Sequence, residues 1–206
     1  MRLTNPLDQL LDSPVKVRLL RLLIKTNAEL NGRQIARELE ISPTTAHALL
    51  HSLAESGILH VVNYGRTHVY RLKGDHTLIK DLLRPLFHEE EKLLEKLIDF
   101  MVGRIHSAKL NRSLISVILF GSTARHQEHE RSDIDLCIII PQEKVRSSVA
   151  DFFDSLNQDI VQTFGSLLSV YILTQAEIRS RKNLVLIKNI QKEGRLILGK
   201  PLRELL

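Results

Sequence analysis

Asp133 and Asp135 stand one residue apart at the head of the apolar run "IDLCIII", shortly after the small-residue stretch "FGSTAR". On a strand, residues i and i+2 project to the same face, so the two carboxylates are expected side by side. Like charges this close repel, and a shared cation relieves them. A pair of oxygen ligands suits Mg²⁺ (or Mn²⁺), which keeps several waters and completes its shell with substrate phosphates. Gly121 and Ser122 close the preceding apolar stretch, where small residues allow a tight turn into a helix whose first N–H groups attract phosphate. Arg125, a turn later, offers a forked charged donor to the same anion. Together these residues suit the holding of a nucleoside triphosphate with its metal. Asp133 and Asp135 are the expected catalytic and metal-binding residues, and Gly121, Ser122 and Arg125 the expected nucleotide-binding ones.

The elements that must position this cluster alternate along residues 107–206. Apolar strands are expected at "LISVILF", "IDLCIII" and "LLSVYIL", with an amphipathic helix at "VRSSVADFFDSLNQDIVQTF" and helical material from Gln175 onward. One sheet with flanking helices follows, and the helix between the last two strands favours a mixed sheet in an α+β chain. Upstream, "TLIKDLLRPLFHEEEKLLEKLIDFMVGRI" keeps helical apolar spacing and is interrupted once, at Pro85, so residues 76–106 read as a long linker helix kinked or broken there. Its leucines and Phe100 must pack on something, either as a strut between domains or as the seam of a homodimer.

Residues 1–75 read as three helices and a hairpin. Helical spacing starts at Leu7, with Ser13 capping and Pro14 in the first turn of "SPVKVRLLRLLI"; Asn31 or Gly32 starts a second helix. Ser42 caps the third, Pro43 opens it, and Gly57 ends it. "ILHVVNYGRTHVYRLK" then alternates around "NYGRT", with Gly65 at the turn. This order is that of a winged helix-turn-helix, in which the third helix enters the major groove of double-stranded DNA and the hairpin rests on the backbone. On the third helix Ala46, Leu49, Leu50 and Leu53 are expected in the core, whereas Thr44, Thr45, His47, His51 and Ser52 are the polar positions able to reach bases or phosphates. That helix lacks Arg and Lys, so much of the affinity falls to the wing through Arg66, His68 and Arg71. A winged helix kept for protein contacts or dimerisation is the alternative.

The pattern "GSTAR" followed by "SDIDL" resembles the nucleotidyltransferase superfamily of DNA polymerase β, above all its minimal nucleotidyltransferase branch, over residues 107–206. Residues 8–75 resemble the winged-helix domains of bacterial and archaeal regulators. The first resemblance implies in-line attack by a hydroxyl on an α-phosphate with pyrophosphate leaving. It also implies a third carboxylate on a later strand, which helps bind a second metal and activate the acceptor; here Ser169 of "SLLSVYIL" stands in its place, and Asp159 and Glu177 lie off the strand.

Composition sets the frame. The 206 residues are 43% apolar with a net charge of +5, enough for two cores and modestly suited to a phosphate-bearing partner. No stretch approaches the length of a membrane span, the N-terminus has no secretory pattern, and Cys137 has no partner, so a soluble protein of a reducing cytoplasm is expected. Cys137 reads as core, and Glu128 and Glu130 as solvated. His126 and His129 have zinc-pair spacing without further ligands, which favours a polar loop. Three functions compete: a DNA-binding regulator whose nucleotidyltransferase domain modulates it or a partner, such as a toxin-like nuclease, as in antitoxins of the minimal branch; an enzyme that docks a nucleic-acid substrate such as tRNA through the wing; and a nucleotide-sensing repressor with a degenerate site.

Overall fold

In the computed structural model, which describes residues 3–125, 127, 129 and 132–206, the chain divides after Lys92 into two compact units. In the first, α1 (Leu7–Leu10) precedes α2 (Pro14–Thr26), β1 (Leu30–Asn31), α3 (Gly32–Glu38), α4 (Pro43–Glu55), β2 (Leu59–Tyr64) and β3 (Thr67–Leu72). The helix starts obey capping chemistry. Ser13 accepts the Lys16 N–H, Asn31 and Gln34 form a reciprocal capping box, and Ser42 accepts the Thr45 N–H at 3.0 Å, with proline opening α2 and α4. The periodicity that starts at Leu7 is divided by this capping, so α1 is a separate turn and α2 begins only at Pro14.

Leu19, Leu20 and Leu23 of α2, Ile35 of α3, and Ala46, Leu50 and Leu53 of α4 are buried in one core. Each large side chain among them contributes roughly 1.5–3 kcal/mol by leaving water. β2 and β3 pair antiparallel around a two-residue loop, where Gly65 takes φ +61; β1, unforeseen in the sequence, adds two residues to the other edge of β3.

The segment expected as a linker is divided. A wide π-helical stretch, Leu78–Leu83, leads into α5 (Arg84–Glu91), which still belongs to the first unit. Pro85 sits in the first turn of α5, where its missing N–H costs least, so helical structure runs through it; the helix ends instead at Lys92.

In the second unit, α6 (Leu93–Ser107) leads to β4 (Ser116–Phe120), α7 (Gly121–Ala124), β5 (Ile134–Ile140), α8 (Arg146–Phe164), β6 (Leu168–Thr174), α9 (Gln175–Ser180), α10 (Val185–Glu193) and β7 (Arg195–Gly199). The sheet order is β6-β5-β4-β7. β4 is antiparallel to both neighbours, and α8 carries the chain between the parallel strands β5 and β6. Sheet residues Leu119, Leu136 and Ile138 pack with Met101 of α6 and Phe153 of α8. Ile118, Cys137 and Ile139 pack with Ile178 of α9 and Ile187 and Ile190 of α10 in a separate cluster. With helices serving both sets of side chains, β5 is apolar at nearly every position, which accounts for "IDLCIII". Cys137 is fully buried, and burial pushes its thiol up to about 12, as a core residue requires.

The expectation of helix from Gln175 onward is corrected by β7. The helical pattern stops at Glu193, Gly194 is extended, and "RLILG" pairs with β4. A five-residue segment with three apolar residues, directly after an amphipathic helix, carries no period of its own, so only its partner strand defines it.

Candidate functional site

β4 ends at Phe120 and the chain turns at once into the single-turn helix α7. Gly121 makes this turn at φ +76, in the left-handed region, and its Cα lies against the Asp135 side chain. A Cβ built there would overlap Asp135 Oδ2 and stand 3.0 Å from its Cγ. Strand register makes this meeting: Phe120 is the partner of Asp135 across the antiparallel pair. On the other flank Ser169 of β6 is the register partner of Asp135 and hydrogen-bonds its carboxylate.

Asp133 is placed differently from the sequence expectation. β5 begins at Ile134, whose N–H bonds the Leu167 carbonyl, so Asp133 lies exposed one residue ahead of the strand and only Asp135 is on it. The two charges still interact. The Asp135 carboxyl is held above the ordinary carboxylate range, first by burial and also by repulsion from Asp133; the Ser169 hydrogen bond and the Arg125 charge pull in the other direction. Ser122 is half-buried beside Gly121, and its carbonyl accepts the Gln127 N–H at 2.9 Å. Arg125 does not project freely: it pairs with Glu193 of α10 at 3.0 Å, and its Nε donates to Gln127. Glu193 was not singled out in the sequence, and a contact between residues so far apart in the chain leaves no local signal.

Asp159 and Glu177, the other acids near β6, are engaged elsewhere. Asp159 pairs with Arg104 at 2.5 Å. Glu177 closes a capping box with Thr174 and pairs with Arg146 at 2.6 Å; the Thr174 backbone hydrogen bond, with help from Arg146, holds its carboxyl below the ordinary range. Among the described residues no three His, Cys, Asp or Glu side chains gather as a metal cluster. Two carboxylates with mutual repulsion fit a hard divalent cation that draws its remaining oxygens from water and phosphate, and do not fit structural zinc. His126, Glu128 and Glu130 lie outside the described residues; His129 is exposed.

In the first unit, Thr44, Thr45, His47 and His51 are all exposed on α4, and Arg66, His68 and Arg71 are exposed on the hairpin. His47, Arg66 and His68 come together, lining one cleft of about 420 Å³ with Arg33 and Thr67. The other four do not line it. The Thr45 hydroxyl meets Ser42 Oγ at 2.8 Å, His51 stacks on His47 and approaches Glu55, and Arg71 faces Glu29 at 3.8 Å. Arg33 was missed; its position just inside the start of α3, the first helix of the turn motif, was the signal available.

With this geometry in place, the likeness to known proteins can be stated. Residues 105–201 match the model of the polymerase beta nucleotidyltransferase family, and residues 17–62 match that of the IclR helix-turn-helix domain. The chain joins a DNA-binding helix-turn-helix to a nucleotidyltransferase domain of the polymerase β type. No curated protein matches it significantly.

Three solved structures show how far the likeness extends. A homodimeric winged helix-turn-helix DNA-binding domain from Mycobacterium bovis is 21% identical over 44% of this chain and 77% of its own, with a TM-score of 0.33. A toxin-antitoxin complex with AMP-PNP is 18% identical over 50% of this chain and 73% of its own, at 0.32. TrmBL2, an archaeal chromatin protein, is 16% identical over 91% of this chain and 76% of its own, at 0.29. No helix of the described residues is long and apolar enough to cross a membrane.

Proposed function

We propose that the protein is a DNA-binding regulator whose second unit transfers a nucleoside monophosphate from a nucleoside triphosphate to a hydroxyl on a partner macromolecule. The observation that carries this reading is the seating of the Asp135 carboxylate against Gly121, with Asp133 two residues away, inside the segment that matches the nucleotidyltransferase model. Asp133 and Asp135 would hold Mg²⁺ or Mn²⁺, which when bound supplies charge neutralisation for the triphosphate. Gly121 keeps the backbone close to the carboxylate, Ser122 and the start of α7 face the phosphates, and Arg125 exchanges Glu193 for a phosphate oxygen.

In the transfer, the acceptor oxygen bonds to the α-phosphorus as the bond to the β-phosphate oxygen breaks, and pyrophosphate leaves with the electron pair. Ser169 is no base, so the acceptor proton passes to solvent. The first unit places α4 in the major groove of double-stranded DNA, with Arg66 and Arg33 on phosphates. Leu82 and Leu86, about half exposed one helical turn apart, suit the seam of a homodimer. The acceptor is a toxin-like protein partner or a tRNA.

Incubation of the full chain with Mg²⁺ and each α-labelled nucleoside triphosphate, alone and with tRNA or the neighbouring gene product, tests the reading. Label should move to a macromolecule with wild type and not with Asp135→Ala. Nucleotide binding without transfer to any acceptor would leave the sensing repressor as the better reading.

A further inference from the structure

The first unit holds a second cavity, of about 650 Å³, lined by none of the residues of the DNA-facing cleft. It lies between α2 and α5 and is within the size of pockets that take small organic ligands, roughly 300–1,000 Å³. Ile24, Pro85 and Phe87 give it apolar walls, and Phe87 is almost fully buried beneath the Arg21 guanidinium, 5.4 Å from the ring centre.

The charges around it are unequally matched. Glu90 takes Arg21 in a two-pronged pair at 2.6 and 2.7 Å, Glu91 faces Lys25 at 3.7 Å, and Glu89 accepts from Lys92 at 2.9 Å. Each glutamate of the rim thus already holds a cation. Lys80, Arg84 and His88, spaced four apart along the helical segment and all exposed on the cavity wall, have no carboxylate within ion-pair distance among the described residues. Neither the core nor the DNA-facing cleft uses them.

We infer that this cavity binds a small amphipathic anion, its carboxylate or phosphoryl head on Lys80 and Arg84 and its apolar body against Ile24, Pro85 and Phe87. An apolar floor beneath unmatched cations selects for both properties at once: a duplex could use the cations but not the floor, and a neutral lipid the floor but not the cations.

Titration of the full chain with 8-anilinonaphthalene-1-sulfonate, itself an amphipathic anion, tests the inference. One saturable site is expected, from which octanoate displaces the dye and octanol at the same concentration does not. The double substitution Lys80→Gln, Arg84→Gln should weaken dye binding about tenfold or more with an unchanged melting curve. Dye binding unaffected by the double substitution, or displacement by octanol as good as by octanoate, overturns the site. Displacement by a short DNA duplex overturns it too, since the cations would then be part of the DNA interface. If the double variant does not fold, the comparison of octanoate with octanol on wild type decides alone.

Discussion

The Cα of Gly121 rests on the carboxyl group of Asp135 so closely that a methyl group there would stand 3.0 Å from Cγ and overlap Oδ2. Backbone conformation and side-chain space both demand glycine at this position, which follows β4 and begins α7.

Gly121→Ala should therefore destabilise the protein by about 1–3 kcal/mol and abolish nucleotide transfer, because the carboxylate must move to admit the methyl group. Gly165→Ala is the matched control: Gly165 has φ +72 with nothing within 4 Å of a built Cβ, so it carries the conformational cost alone, about 1 kcal/mol, with transfer unchanged. Chemical denaturation and the labelled-nucleotide assay read the two effects; equal behaviour of the two variants would show that the contact with Asp135 does not matter.

Asp135 binds its proton more tightly in the folded state than an ordinary carboxylate does, mainly because it is partly buried. Its ionisation therefore opposes folding. Metal-free stability from this group is fully present below the ordinary carboxylate pKa, about 3.9, and is lost as pH rises through the raised folded value. Asp135→Asn removes the penalty, so the metal-free variant should melt roughly 1–3 °C above wild type at pH 7, with the gap closing below about pH 4. Mg²⁺ should raise the melting point of wild type and leave that of the variant nearly unchanged. A variant melting no higher than wild type at neutral pH contradicts the assignment of a strained carboxylate.

Ser169 lies across from Asp135 in the parallel pair β5 and β6. Ser169→Asp would bring a third carboxylate to the pair, so Mg²⁺ or Mn²⁺ affinity measured by calorimetry should rise by about tenfold, with a matching loss of metal-free stability from added repulsion. Unchanged metal affinity would mean that β6 does not face the same ion as Asp133 and Asp135.

Arg33 and Arg66 line one cleft with His47 and His68. If both cations sit on phosphates, Arg33→Ala and Arg66→Ala should each weaken DNA binding similarly for all sequences and reduce the slope of log affinity against log salt by about 1. His47→Ala should instead reduce discrimination between sites. Gel-shift titrations at several salt concentrations separate these outcomes; an unchanged salt slope in both arginine variants removes the cleft from the interface.

What could be read from residues alone was whatever local chemistry sets. Ser13, Ser42 and Asn31 mark helix starts because their side chains bond N–H groups three residues on, and Gly65 marks the hairpin because its loop needs a positive φ. The strand "IDLCIII" was legible as it stands, and the interaction of Asp133 with Asp135 followed from their spacing, although Asp133 lies just ahead of the strand. Three features that escaped notice depend on partners distant in the chain: β7 is defined by β4, the hold on Arg125 by Glu193, and β1 by two residues of β3. Pro85 misled because its position in the first turn of α5 is tolerated, whereas the break at Lys92 has no proline or glycine to announce it.

The pairing of β7 with β4 has a kinetic consequence during synthesis. Residues 195–199 supply one of the two neighbours of β4, so that flank of the sheet stays bare until the ribosome has released a stretch some eighty residues downstream of Ser116. The first unit contains all its own strands before Lys73 and can close while the second is still emerging. A nascent chain should therefore complete its helix-turn-helix unit well before its mixed-sheet unit, and for that interval the open β4 flank is the surface most in need of a chaperone.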